Sequence, residues 1–277
     1  MEYRICVLGS DPRQQWIAHY LAEDHCVFTF GVPNTKDSSA DLSALLSSAQ
    51  AVVLPFPATK EGLVQLTENR SVSPELICRQ LPEQAHIFGG LLPDLDYGKR
   101  QVHDYGQDES ITVYNAAITA EGAIFTAMQA SPDTLWRSRC LVIGYGRIGK
   151  ALAPRLRALG ATVTISARHA ADLAAIDACG YHADHTGAYE TDLGRYHYIF
   201  NTVPAPVLNE HQLRRTASDC LLIDLASMPG GMDFEACRQL GRHCIHALSL
   251  PGKTAPATAG KILADYIVQH LSERVIQ

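Results

Sequence analysis

One segment restricts this chain more than any other: Leu141-Val-Ile-Gly144-Tyr-Gly146-Arg-Ile-Gly149. An apolar run at 140–143 enters three glycines at GxGxxG spacing. A helical stretch at 147–159 follows, then a second strand-like run at 162–166. That order is the context a dinucleotide-binding βαβ unit requires. Gly144 allows the tight turn, Gly146 lets the backbone approach a pyrophosphate, and Gly149 lets helix and strand pack closely. First-turn N–H groups of the helix then face the phosphates. Gly144, Tyr145, Gly146, Arg147, Ile148 and Gly149 are therefore the expected cofactor turn. Pro154 breaks a local rule inside this helix, at a cost of about 3 kcal/mol or a kink, and the sequence supplies no reason for it.

The end of the second strand speaks to which dinucleotide is bound. NAD sites place an acidic residue there to hold the ribose 2′-hydroxyl. Here the end reads Ile165-Ser166-Ala167-Arg168-His169, and the first acid after the motif is Asp172. Ser166 and Arg168 suit a 2′-phosphate, so NADP is expected over NAD, with NAD still possible. Farther on, Asn201-Thr-Val-Pro204 and Asp224-Leu-Ala-Ser227 end two more strand-like runs. In a doubly wound sheet such ends line the ligand crevice. Thr202, Val203, Pro204 and Ala226 are expected beside the nicotinamide and Ser227 beside the substrate. Asp224 reads as a structural residue that pairs with backbone.

Strand-like and helix-like runs alternate along the whole chain, which argues for parallel sheets covered by helices on both faces. The strands read at 5–8, 27–30, 51–55, 86–88 and 112–114, then, past a helix at 119–129, at 140–143, 162–166, 198–201, 221–225 and 244–247. The expectation is an α/β protein of two doubly wound domains, residues 1–117 and 118–277. The last helix, 256–272, is free to pack on either. With 277 residues, 47% of them hydrophobic, and a net charge of −6, the composition excludes a disordered chain and a basic nucleic-acid binder. No apolar run reaches the roughly 18 residues of a membrane span, and the N-terminal run reads as a strand rather than a leader, so a cytoplasmic protein is expected. The eight cysteines contain no CxxC pair and read as reduced thiols. His182/His185 and His243/His246 share an HxxH spacing, but nothing completes a metal site, and none is expected.

Longer stretches add a resemblance. These are Gly9-Ser-Asp-Pro-Arg-Gln14, Leu54-Pro-Phe-Pro-Ala-Thr59, Tyr114-Asn-Ala-Ala-Ile-Thr-Ala-Glu-Gly122, Asn201-Thr-Val-Pro-Ala-Pro206, Asp224-Leu-Ala-Ser-Met-Pro-Gly-Gly231 and Leu250-Pro-Gly-Lys-Thr-Ala-Pro-Ala-Thr-Ala-Gly260. In this order they resemble the dipicolinate synthase A-subunit family, within the two-domain D-2-hydroxyacid dehydrogenase superfamily. The resemblance implies a flavodoxin-like substrate domain and a Rossmann domain. It also implies NADP-dependent oxidation of dihydrodipicolinate to dipicolinate for sporulation, partnership with a flavoprotein-like B subunit, and a homo-oligomer. The superfamily's arginine position falls near Met228-Pro229, and its histidine region reads Leu250-Pro-Gly-Lys-Thr-Ala. Without that pair, oxidation of an alcohol lacks its proton acceptor. A hydroxyacid dehydrogenase with displaced catalytic residues and a non-catalytic NADP-binding regulatory subunit stay open as alternatives.

A dicarboxylate substrate calls for cations, hydroxyls and N–H groups at the strand ends. Arg13 is the expected carboxylate clamp, with Asp11 and Gln14 orienting it or capping the helix. Thr59 is placed to donate to the same carboxylate. Glu121 reads as either a helix cap or a base. Lys253, in a Pro-Gly-Lys-Thr turn, is the other catalytic candidate, and Thr254 the next substrate contact. An acidic chain must concentrate its useful cations locally, which singles out Arg13, Arg168 and Lys253.

Overall fold

In the computed structural model, which describes residues 2–36, 41–189 and 192–272, the apolar runs form parallel strands enclosed on both faces. The chain opens with β1 (Arg4–Leu8), α1 (Pro12–Leu21), β2 (Cys26–Phe30), α2 (Leu42–Ser48) and β3 (Ala51–Val53). It continues through β4 (Val64–Thr67), β5 (Arg70–Val72), α3 (Pro74–Gln80), β6 (His86–Gly89) and β7 (Gln101–Asp104). Five of these strands form a parallel sheet in the order β2-β1-β3-β6-β7. Leaving out the small antiparallel β4–β5 hairpin, this is the order of flavodoxin-like folds. Local sequence starts the helices: Asp11 accepts from the Arg13 N–H ahead of Pro12, and Ser73 accepts from Leu76 N–H ahead of Pro74.

The long helix α4 (Glu109–Ala130) follows, and the first compact unit ends within it at Tyr114. The second unit, Asn115–Thr254, holds β8 (Arg139–Ile143), α5 (Arg147–Ala158), β9 (Thr162–Ala167), α6 (Ala170–Ala178) and β10 (His182–His185). Its second half is β11 (Tyr198–Asn201), α7 (Glu210–Arg214), β12 (Leu221–Asp224), α8 (Phe234–Gln239), β13 (His243–His246) and α9 (Leu250–Thr254). The six strands are parallel in the order β10-β9-β8-β11-β12-β13, the order of dinucleotide-binding sheets. The molecule is thus an α/β protein of two doubly wound parallel sheets. The last helix, α10 (Pro256–Ser272), belongs to the first unit. There Gly260 lets it approach α1 closely, since a Cβ would lie 2.6 Å from Trp16 Cβ and 2.9 Å from the Arg13 carbonyl.

Several local readings change. Thr112-Val-Tyr114 is helix rather than strand. Asp108 accepts from the N–H groups of Ser110 and Ile111 (2.9 and 3.1 Å) and starts α4, and packing of Ala120, Ala123 and Ala127 overrides the β-branched residues ahead of them. Residues 250–254 are the short helix α9, not a turn. Cys237 and Cys244 form a disulfide, so not every cysteine is a free thiol. Arg242 N–H bonds back to Cys237 O (2.8 Å) and turns the chain so that α8 and β13 meet there. Burial pushes the Cys6 and Cys220 thiols up to about 12, which keeps them inert. Each HxxH pair lies on a strand, where residues three apart face opposite sides. Helix α5 runs on through Pro154. No described helix is long and apolar enough to cross a membrane.

Candidate functional site

The site of the second unit is built at the carboxyl ends of β8 and β11. These neighbours mark the point where the winding of the sheet reverses and ligands bind. Gly144 has φ +101°, and a Cβ there would overlap Thr202 Oγ1 and come within 2.8 Å of Val203 Cγ2. Thr202 in turn holds the Ile143 carbonyl from both its N–H and its hydroxyl, each at 2.9 Å. A Cβ on Gly149 would overlap the Gly144 carbonyl oxygen, so only glycine lets α5 sit so close to the turn. Gly146 differs. It is the extended N-cap of α5, and a Cβ there would meet nothing within 4 Å among the described residues. The backbone is cleared where a pyrophosphate would approach, and the positive end of α5 points there. Tyr145 and Ile148 are half-buried and Arg147 is exposed around this opening.

At the end of β9, Ser166 and Arg168 part company. Ser166 is fully buried, and its Oγ accepts from the Thr186 hydroxyl at 2.9 Å. Its side chain ties β9 to the loop after β10 and does not face out, which corrects its expected place in the phosphate pocket. Arg168 is exposed and makes no ion pair among the described residues. It stands as the open cation at that strand end.

The loops after β11 and β12 are tied together by two fully buried side chains. Asp224 Oδ1 accepts from Asn201 Nδ2 (2.8 Å) and Ala226 N–H (3.0 Å), while Oδ2 accepts from Gly231 N–H (2.7 Å) and Met232 N–H (3.2 Å). Asn201 also accepts from Val203 N–H and donates to Val203 O, both at 3.0 Å. Thr202 and Val203 are half-buried, Pro204 is exposed, Ala226 is buried and Ser227 is exposed. His246 Nε2 lies 2.9 Å from the Ala226 carbonyl, and its ring stacks on Phe234.

The remaining expected residues are placed differently. Glu121 lies in mid-helix, so it caps nothing, and its carboxylate faces Arg155 at 3.6 Å. Arg155 is eight residues past Arg147, roughly 12 Å along α5 from the glycine turn. Thr254 donates to Leu250 O within α9 at 2.8 Å, with Gly122 closely against it. Lys253 is exposed on α9 and has no ion pair among the described residues. In the first unit, the corresponding reversal lies between β1 and β3. Arg13 is buried there. Its Nε and Nη2 bind the two Asp11 oxygens (2.9 and 2.6 Å), and Nη2 also reaches Phe56 O in the loop with the cis Phe56–Pro57 bond. Most of the expected clamp is therefore used inside the fold. Gln14 does not orient Arg13, because its Nε2 bridges the carbonyls of Leu8 (2.7 Å) and Val53 (3.1 Å). Thr59 is half-buried at the end of the same loop.

No family model matches the sequence. A curated protein does: over 288 residues, 98% of this chain and 96% of the other, it is 31% identical to the A subunit of dipicolinate synthase from Bacillus subtilis (strain 168). The chain belongs to the dipicolinate synthase A-subunit family. The crystal structure of the A subunit of dipicolinate synthase from Bacillus halodurans is similar with a TM-score of 0.85 at 30% identity, covering 97% of each chain. D-Lactate dehydrogenase from Salmonella is similar with a TM-score of 0.65 at 12% identity, covering 95% of each chain. At that identity the likeness shows a shared two-domain dehydrogenase fold and no more. The strand order and the cleared turn at Gly146 leave room for a nucleotide cofactor.

Proposed function

We propose that this member of the dipicolinate synthase A-subunit family is an NADP+-dependent dehydrogenase. It oxidises dihydrodipicolinate to dipicolinate (pyridine-2,6-dicarboxylate) for sporulation, in the cytoplasm, as a homo-oligomer working with a B subunit. One observation carries the reading: the cleared glycine turn at the β8–β11 reversal, with Arg168 and no carboxylate at the end of β9. The full-length likeness to a protein named for dipicolinate synthesis supports the choice of substrate.

The free N–H groups at the start of α5, from Arg147 to Gly149, would hold the pyrophosphate, and Arg168 the 2′-phosphate. NADP+ supplies the hydride acceptor when bound. The substrate loses a hydride and a proton and becomes aromatic, so the protein's task is chiefly orientation. Thr59 and the remaining Nη1 of Arg13 are available to a carboxylate in the first unit, while Ser227 and Lys253 are available in the second. Lys253 is a cation suited to a substrate carboxylate, and the proton passes to water. Glu121 faces Arg155 at 3.6 Å.

Initial rates test the reading. The purified chain with its B counterpart, given dihydrodipicolinate, should form dipicolinate faster with NADP+ than with NAD+. No turnover with either dinucleotide would refute it.

A further inference from the structure

We propose that Asn201 and Asp224 are positioning residues, which fix the loops after β11 and β12 as one wall for the nicotinamide half of the cofactor. This inference rests on the dinucleotide reading above. Both side chains are fully buried. A buried carboxylate without partners is costly, and among the described residues no cation pairs with Asp224. Its four partners are the Asn201 amide and the N–H groups of Ala226, Gly231 and Met232. The charge is therefore used to gather loop 226–232 inward. Asn201 does the same for the other loop by holding both backbone groups of Val203.

Gly231 closes the network. A Cβ there would overlap Asn201 Nδ2 and come within 2.5 Å of Val203 O and 2.7 Å of Ala205 O. Its own carbonyl accepts from Val207 N–H (2.9 Å) and Leu208 N–H (3.0 Å). Moving Asp224 would thus move residues 202–208 and 226–232 together. Those segments carry Thr202, Val203, Ala226 and Ser227 at the carboxyl ends of their strands, where the ligand lies in such sheets. The β9 end, with Arg168, lies on the other side of β8 and, among the described residues, shares no hydrogen bond with Asn201 or Asp224.

This separation gives a differential test by calorimetry on the full chain. Two ligands are compared: NADP+ and adenosine 2′,5′-bisphosphate, which lacks the nicotinamide half. Asp224→Asn sets an NH2 donor against inward-facing N–H groups. It should weaken NADP+ about tenfold while changing the bisphosphate less than about twofold. Gly231→Ala should give the same split, and it carries the test if Asp224→Asn does not fold. Equal loss for both ligands would mean a general structural role and overturn the inference, as would no loss for either. If the unaltered chain binds both equally well, the loops add nothing to the nicotinamide half, and the inference fails while the dinucleotide reading stands. Binding of neither by the unaltered chain refutes both.

Discussion

Two glycines of one turn should respond differently to the same added methyl group. In Gly149→Ala the new Cβ overlaps the Gly144 carbonyl and sits 3.1 Å from its carbon, both backbone atoms that cannot swing aside. Restoring ordinary contact moves the start of α5 by roughly 1 Å. Overpacking of this kind costs about 1–3 kcal/mol, and the better helix propensity of alanine returns up to about 1 kcal/mol. The net loss of about 1–2 kcal/mol should lower the melting temperature by roughly 3–8 °C. Because the N–H groups that face the phosphates move as well, NADP+ affinity should fall at least about tenfold. Gly146→Ala meets no protein atom. It should cost less than about 1 kcal/mol through the poorer N-cap, yet still weaken NADP+ about tenfold by standing where the pyrophosphate approaches. Differential scanning fluorimetry and calorimetry read the two effects separately. Unchanged stability in Gly149→Ala, or unchanged affinity in Gly146→Ala, would refute this account of the turn.

Other outcomes follow from particular contacts. Arg168→Ala should weaken NADP+ about tenfold and NAD+ less than about twofold by titration, since a charged hydrogen bond to the 2′-phosphate is lost only in the first case. Asp11→Ala leaves the Arg13 guanidinium buried without its carboxylate and removes an N-cap, so chemical denaturation should show a loss of about 2–4 kcal/mol. His103 is pushed down to about 4 by burial first and by His86 and His270 after it. The unfolded chain therefore binds the proton that the folded chain refuses between its ordinary 6.5 and that value. Stability from His103 is complete above about pH 6.5 and falls as pH drops toward 4, by about 1–2 kcal/mol after solvent screening. Urea midpoints across that range should fall less steeply in His103→Phe.

What the sequence revealed was what lies close along the chain. The glycine turn could be read because strand, turn and helix follow one another within a few residues of Gly144. The alternation of strand-like and helix-like runs likewise made the two parallel sheets legible. Side-chain commitments made across long separations stayed hidden. Ser166 finds Thr186 twenty residues on, Arg13 finds Phe56 forty-three residues on, and Glu121 finds Arg155 on another helix. Each looked available in the sequence because its partner could not be seen. Asp224 was legible as a structural residue, but its link to Asn201 was not, since twenty-three residues separate them. Thr112-Val-Tyr114 misled through local propensity alone, which the capping Asp108 and the packing of α4 override. The Lys253 segment misled in the opposite direction, because Pro251 and Gly252 suggest a turn where a short helix forms.

In the proposed reaction this chain, with its B counterpart, makes dipicolinate by passing a hydride to NADP+. The most direct measurement is the ratio of NADPH to dipicolinate formed from dihydrodipicolinate with oxygen excluded. Equal amounts of the two products are expected, and in Gly146→Ala both should form about tenfold more slowly at subsaturating NADP+. Dipicolinate accumulating without NADPH would contradict it.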